Sequence, residues 1–270
     1  MKKKIALGII GLLMVVGIGF IVNDYVNQQS TPIEKKSKPQ KLKLVAIGDS
    51  LTYGVGDSTK KGGYVTLVSK KLEEHKNVNV SSENYGISGE TSTQIIKRIE
   101  NKSKIQSDLK NADIITVTVG GNDLMHILSK KGLKLKKQDV TSGTVKFENN
   151  LNTLITDIRK NNNHAPIYLI SIYNPFGVYL KDIKYMTTAV KNWNEYSKQT
   201  ASENYNVHFV NIDKLLSDPK KKTKDKNGDV ENPYLFTEDH FHPNDKGYKL
   251  ITDELYKVMI KSEDSWLETE

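Results

Sequence analysis

The stretch Leu42-Lys43-Leu44-Val45-Ala46-Ile47-Gly48-Asp49-Ser50-Leu51 decides the reading of this chain. A short apolar run stops abruptly at Gly-Asp-Ser, the pattern of a buried strand that delivers a polar turn at its carboxyl end. Similar runs recur downstream. Residues 78–80 form a second candidate strand, and 113–119 (Asp-Ile-Ile-Thr-Val-Thr-Val) a β-branched one that halts at Gly120-Gly121. Residues 166–172 and 207–212 supply two more. Between them lie stretches with helical spacing: 64–72, 91–99 with a polar cap, 145–160 with apolar positions at 147, 151, 154, 155 and 158, 183–205, and a closing helix over 243–260 with Pro243 in its first turn. Strands alternating with helices predict an α/β fold whose parallel sheet is covered on both faces.

Composition narrows the chemistry. The 270 residues include no cysteine, which excludes disulfides, a thiolate nucleophile and thiolate zinc ligation. The net charge of +8 is unevenly spread: residues 1–41 carry +5, leaving +3 for the remaining 229. A nucleic-acid binder concentrates basic charge on its folded domain, so no nucleic-acid partner is expected. Lys2, Lys3 and Lys4 precede 18 uncharged residues at 5–22. That length and flank predict a transmembrane segment with the amino terminus inside and the remainder outside the cytoplasm. No small-x-small cleavage site follows, which favours a retained anchor over a cleaved signal peptide and a secreted product. Residues 23–41, polar and lysine-rich with Pro32 and Pro39, read as a flexible linker, and 42–270 as the folded domain. A lysine-rich insertion spans 216–232. Its Asp225-to-Asp229 portion does not place glycine at the sixth position a calcium loop requires and reads as a solvated turn.

Four short segments carry the chemistry: Gly48-Asp49-Ser50-Leu51, Asn84 to Thr91 (Asn-Tyr-Gly-Ile-Ser-Gly-Glu-Thr), Gly120-Gly121-Asn122-Asp123, and Asp239-His240-Phe241-His242-Pro243. Each alone is a common turn, cap or surface residue. Together they supply a serine, a histidine able to take its proton, an acid three residues away able to orient the imidazole, and amide donors for an oxyanion. In this order the segments resemble the four blocks of the SGNH hydrolases, the GDSL esterase/lipase family, over roughly residues 42–260.

The resemblance implies a three-layer α/β/α sandwich, flavodoxin-like, with a parallel sheet of about five strands. It implies Ser50 as nucleophile, Asp239 and His242 as its triad partners, and Ser50, Gly89 and Asn122 as the oxyanion hole. Gly86 competes with Gly89, and the Ser-Gly-Glu-Thr pattern favours Gly89; His240 competes with His242, and only His242 fits Asp-x-x-His. Asp49 and Asp123 are expected to bond loop N–H groups, and Tyr53, Tyr173 and Phe176 are candidates to line an acyl pocket. The second glycine of a Gly-x-Ser-x-Gly elbow is replaced by Thr52, which implies a flatter, more open site. The expected reaction is hydrolysis of a small or lipid ester through an acyl-enzyme, with no cofactor or metal. The alternatives are an acetyl esterase or O-acetyltransferase acting on cell-wall glycans and, from another class, a catalytically silent tethered binding module.

Overall fold

The computed structural model describes residues 38–132, 136–175, 184–218, 220, 222–224 and 227–268. The predicted anchor at 5–22, most of the linker, Phe176 and the first residues of the 225–229 turn lie outside them. Among the described residues no helix is long and apolar enough to cross a membrane.

Five strands, β1 (Gln40–Gly48), β2 (Val78–Gly86), β3 (Ile114–Thr118), β4 (Ile167–Ile170) and β5 (Val207–Val210), form one sheet in the order β2-β1-β3-β4-β5. Every pairing is parallel. Alternation along the strands feeds both faces. Val45 and Ile47 of β1 point into one core with Ile115 and Val117 of β3, while Leu42, Leu44 and Ala46 point into the other. The first core is closed by α3 (Ser92–Asn101), α4 (Ser103–Lys110), α6 (Lys137–Asn161) and α7 (Lys184–Glu203). The second is closed by α2 (Tyr64–His75) and α9 (Asp245–Lys261). This is the three-layer sandwich the resemblance implied. Shorter helices α1 (Ser50–Tyr53), α5 (Gly121–Lys131) and α8 (Asp213–Ser217) sit at strand ends, and a two-stranded hairpin, β6 (Thr223–Lys224) with β7 (Val230–Glu231), occupies the lysine-rich insertion.

The chain runs from β1 outward to β2, then returns past β1 to β3. The order therefore reverses between β1 and β3, and the crevice at their carboxyl ends is where an open α/β sheet presents its ligand site.

Several element limits differ from the sequence reading. Strand pairing begins at Gln40, inside the expected linker, because Gln40 pairs with Val78 and its N–H reaches the Asn77 carbonyl. β2 extends to Gly86, well past residue 80, because β1 offers a partner along its whole length and overrides a polar sequence. α6 starts at Lys137, eight residues early. Gly143 lies inside it, and a Cβ there would meet the Ile127 Cδ1 at 2.1 Å, so the glycine serves packing against α5. The closing helix starts at Asp245 with Asn244 as its cap, and Pro243 instead bridges to Leu235.

Asp108, on α4, locks three elements together. Its Oδ1 lies 2.6 Å from Lys43 Nζ of β1, its Oδ2 lies 2.8 Å from Lys104 Nζ, and the Tyr85 hydroxyl of β2 also donates to it. Hydrogen bonds from Lys104, Lys43 and Tyr85 hold the carboxyl far below the usual carboxylate range. A depressed folded-state pKa stabilises the fold above the unfolded-state value, and that stability is lost as pH falls toward the folded-state value. Asp108→Asn is therefore expected to destabilise at neutral pH, with the gap from wild type closing as the pH drops below about 4. Urea denaturation at pH 7 and pH 3 checks this, and an equal gap at both values would refute it.

Candidate active site

β1 delivers Ser50. Gly48 is the last strand residue, and the Asp49 side chain caps the short helix α1 by accepting from Leu51 N at 3.1 Å. Ser50 is the first residue of that helix and is 3% exposed. Asp49 does what the sequence reading expected, and more. Its Oδ1 accepts the Thr118 hydroxyl at 2.9 Å, and its N–H reaches the same hydroxyl at 3.3 Å, joining the turn to the end of β3. Burial raises the Asp49 carboxyl above its ordinary value, opposed by the bonds from Thr118 and Leu51 and by the charge of His242.

β2 delivers the second segment. Gly86 pairs with Gly48, and a Cβ on Gly86 would sit 2.0 Å from Tyr53 N. That glycine is consumed by close backbone packing. Gly89 differs: its φ is +85°, and a Cβ there would meet nothing within 4 Å, so it faces open space. Of the two candidates, Gly89 is the one that borders accessible volume.

β3 delivers the third. An ordinary turn was expected after Gly120-Gly121, but α5 starts at Gly121, directly behind Gly120 at φ +107°. This places Asn122 in the first turn of a helix. Its Nδ2 donates to the Glu90 carbonyl at 2.9 Å, so the second and third segments touch. Asp123 accepts from Ser92 N at 2.9 Å and from Ser92 Oγ at 2.6 Å, which fixes α3 against α5.

The fourth segment closes the site from the chain's end. The Nδ1 of His242 lies 2.7 Å from the Asp239 Oδ2. Asp239 Oδ1 accepts from the N–H groups of Phe241 at 2.8 Å and His242 at 3.0 Å. Burial works against ionisation of Asp239, but the bonds from His242 and Phe241 outweigh it and hold the carboxyl below its usual value. Extended backbone at Asp239-His240 would turn these adjacent side chains to opposite sides and leave His242 to fold back onto Asp239. The chain is instead a tight turn with His240 in the left-handed region at φ +51°. The Phe236 carbonyl accepts the His240 N–H at 2.8 Å, and the Phe236 N–H reaches the His242 carbonyl at 2.7 Å. The turn brings the His242 ring onto Asp239. His240 remains exposed.

A narrow crevice opens beside Ser50. Ser50, Leu51, Asn122, Tyr173, Pro175 and Phe241 line it. Ser50 and Asn122 thus share one wall, and Phe241 brings the Asp239–His242 turn to its edge. Gly89 and Asn122 together border a wider groove that continues past them between α3, α5 and α6. Tyr173 lines the crevice as expected, but Tyr53 does not: its side chain faces solvent, 59% exposed. Among the described residues no three His, Asp or Glu side chains cluster closely enough to hold a metal ion.

Two contacts escaped the sequence reading. The Tyr173 hydroxyl donates to the Phe241 carbonyl at 2.5 Å, gripping the turn that carries His242. Arg98 of α3 forks onto Glu90, with Nε 2.9 Å and Nη2 2.7 Å from Oε2, and its Nη2 also reaches the Gly48 carbonyl at 3.3 Å. A signal for Arg98 did exist: of 40 basic residues only two are arginine, so the choice of a planar fork over an ammonium was informative.

Known proteins place this architecture. A family model described as the GDSL-like Lipase/Acylhydrolase family matches residues 46–250. The Bacillus subtilis (strain 168) protein YpmR is 32% identical over 229 residues, spanning 84% of this chain and 85% of that protein. The spore germination lipase LipC of Bacillus licheniformis is 27% identical over 218 residues, spanning 79% and 94%. Among solved structures, the lipase Lip_vut3 from a goat rumen metagenome superposes with a TM-score of 0.69 at 25% identity, covering 80% of this chain and 97% of its own. An acetyl-xylooligosaccharide esterase from Geobacillus, at 21% identity and a TM-score of 0.60, shares the fold over 82% and 95%. The chain therefore belongs to the GDSL-like lipase/acylhydrolase family and is a hydrolase acting on ester bonds.

Proposed function

We propose that this enzyme cleaves carboxylic esters through an acyl-enzyme on Ser50, with His242 as general base and Asp239 orienting it. The observation that carries the reading is the 2.7 Å contact between His242 Nδ1 and the Asp239 carboxylate. With the Nδ1 proton held there, Nε2 is left as the basic nitrogen. A low-lying Asp239 carboxyl stays ionised at neutral pH and stabilises the imidazolium that forms. Ser50 Oγ adds to the ester carbonyl as His242 takes its proton. The oxyanion meets the Ser50 N–H, the Gly89 N–H and the second hydrogen of the Asn122 amide, whose first is held by Glu90. His242 then returns the proton to the departing alcohol, and water repeats the sequence to release the acid.

The hydrocarbon side chains of Leu51, Tyr173, Pro175 and Phe241 around Ser50 suit the acyl part of an ester. We read residues 1–22 as a retained membrane anchor that holds the catalytic domain outside the cytoplasm, where lipid esters and O-acylated wall polymers are within reach. The support is the uncharged run of 18 residues behind three lysines. Fractionation of cells making the full chain is expected to leave activity in the membrane pellet. A shortened soluble form in the medium would mean that the segment is cleaved.

A fluorophosphonate probe followed by peptide mapping is expected to mark Ser50, and a label on another serine would end the assignment. His242→Gln is expected to remove nearly all activity, Asp239→Asn to cost on the order of 10⁴-fold in kcat, and His240→Gln to leave most of it. Activity is expected to fall on acidification, because an imidazolium cannot accept the serine proton. His240→Gln should keep that profile; if it abolished the profile while His242→Gln did not, the base would be misassigned.

The Tyr173 grip yields a milder expectation. Tyr173→Phe keeps the ring in the crevice and deletes only the bond to the Phe241 carbonyl. A lost hydrogen bond of about 1 kcal/mol corresponds to roughly a fivefold fall in kcat if the turn's position matters. Unchanged kinetics on a p-nitrophenyl ester would show that the remaining bonds of the turn suffice.

A further inference from the structure

We propose that Arg98 and Glu90 are positioning residues that hold the oxyanion donors in register with Ser50; this rests on the assignment of Ser50, Gly89 and Asn122 above. Glu90 meets the site through both its backbone and its side chain. Its carbonyl accepts the Asn122 amide at 2.9 Å. Its N–H lies 3.3 Å from the Ile87 carbonyl, while the Ile87 N–H bonds the Gly48 carbonyl at 3.1 Å. Gly89, immediately before Glu90, has no side chain and a left-handed backbone, so nothing of its own restrains where its N–H points. Glu90 therefore touches one donor and is covalently joined to the other.

Its side chain is anchored rather than free. Arg98 Nε lies 3.2 Å from Oε1 and 2.9 Å from Oε2, and Nη2 lies 2.7 Å from Oε2. The Arg98 and Glu90 side chains are only 10% and 15% exposed, so the pair is sheltered from the screening that weakens surface ion pairs. The same Nη2 reaches the Gly48 carbonyl, two residues before Ser50. Arg98 itself sits on α3, whose Ile95, Ile96 and Ile99 are buried and whose first residue is tied to Asp123, next to Asn122. The result is a closed circuit: Gly48 to Arg98, Arg98 to Glu90, Glu90 to Asn122, Asn122 through Asp123 back to α3. Oxyanion donors work only when held within about half an ångström of their places before the reaction. A lysine has one nitrogen and no fork, and cannot reproduce the guanidinium's pattern of bonds.

The test is a double-mutant cycle. Arg98→Met and Glu90→Gln are each expected to lower kcat by between about tenfold and a hundredfold with KM nearly unchanged, less than the ~10²–10³ that losing a donor outright costs. Arg98→Lys should recover only part of the loss. In an Asn122→Ala background, where one of the two positioned donors is gone and only Gly89 is left to be held, Arg98→Met should cost clearly less than it does in the wild type, because residues acting through one another are not additive. Circular dichroism and fluorophosphonate labelling at Ser50 establish that each variant is folded and still has its nucleophile. If Arg98→Met keeps wild-type kcat, if it raises KM instead, or if its loss multiplies fully with that of Asn122→Ala, the positioning role is refuted. If Asn122→Ala is itself silent, the oxyanion assignment falls, and this proposal with it. If Arg98→Met does not fold, Glu90→Gln, which keeps a hydrogen-bonding side chain of the same size, decides the matter by the same readings.

Discussion

A fully sheltered carboxylate, Asp49, sits where β1 ends and is the constraint on which the rest of the site depends. Burial raises its pKa and thus disfavours the charge, yet the Thr118 hydroxyl, the Leu51 N–H and the nearby His242 all favour it. Behind Thr118 runs a buried line of hydroxyls. Thr118 and Thr52 are 2.8 Å apart, Thr52 and Tyr64 2.8 Å, and Tyr64 and Thr116 3.1 Å. Because Thr118 donates to Asp49, the contacts can be satisfied in sequence, with Thr52 donating to Thr118, Tyr64 to Thr52 and Thr116 to Tyr64. This line passes so close to β1 that a Cβ on Gly48 would stand 2.2 Å from Thr118 Oγ1 and 2.5 Å from Thr52 Oγ1. The glycine before Asp49-Ser50 is thus required by the polar packing beneath the turn.

The topology explains why this turn, among several strand ends, bears the site. β1 is the strand at which the winding changes direction, so the loops leaving β2 and β3 diverge from it on either side. Ser50 leaves β1, Gly89 leaves β2, and Asn122 leaves β3. Short-range geometry brings these three together with no long loop between them. The fourth participant comes from the segment before α9, and it needs its own scaffold. The Leu235–Pro243 bridge, the paired bonds between Phe236 and the His240–His242 turn, and the Asn244 side chain on the Pro233 and Leu235 carbonyls supply it. Tyr173 then ties that scaffold to the segment leaving β4.

Much of this was legible in the sequence because it is local. A β-branched run ending in Gly-Asp-Ser declares a strand and its turn, and an acid three residues before a histidine declares a possible pair. What escaped was set by partners distant in sequence. β2 carries polar residues along most of its length, and only the neighbouring β1 makes it a strand to Gly86. α5 begins on two glycines, which read as a turn until the packing around Gly120 is known. Extended backbone would carry the adjacent Asp239 and His240 side chains apart, whereas the chain bends left-handed at His240 and Asp239 collects the N–H groups of Phe241 and His242. Tyr53 was grouped with Tyr173 on residue type alone, and the short helix after Ser50 turns it to solvent.

The arginines carry the last step. In a chain that meets nearly every need for positive charge with lysine, Arg159 donates to the carbonyls of Asn162, Ala165, Tyr205 and Asn206, and Arg98 donates to Glu90 and Gly48. Both are placed where one cation must satisfy several acceptors on different segments at once. An ammonium is compact and strongly hydrated, and paying its desolvation for a single point contact gains little. A guanidinium spreads the charge over a rigid plane and binds several segments in one fixed geometry. Arg159 does this at the far edge of the sheet, where β4 and β5 begin, and so serves the fold. Arg98 does it at the carboxyl ends of β1 and β2, where the same kind of bracing falls on the loop that bears Gly89. The difference between the two is one of position alone, and position is what turns a structural device into part of the reaction's machinery.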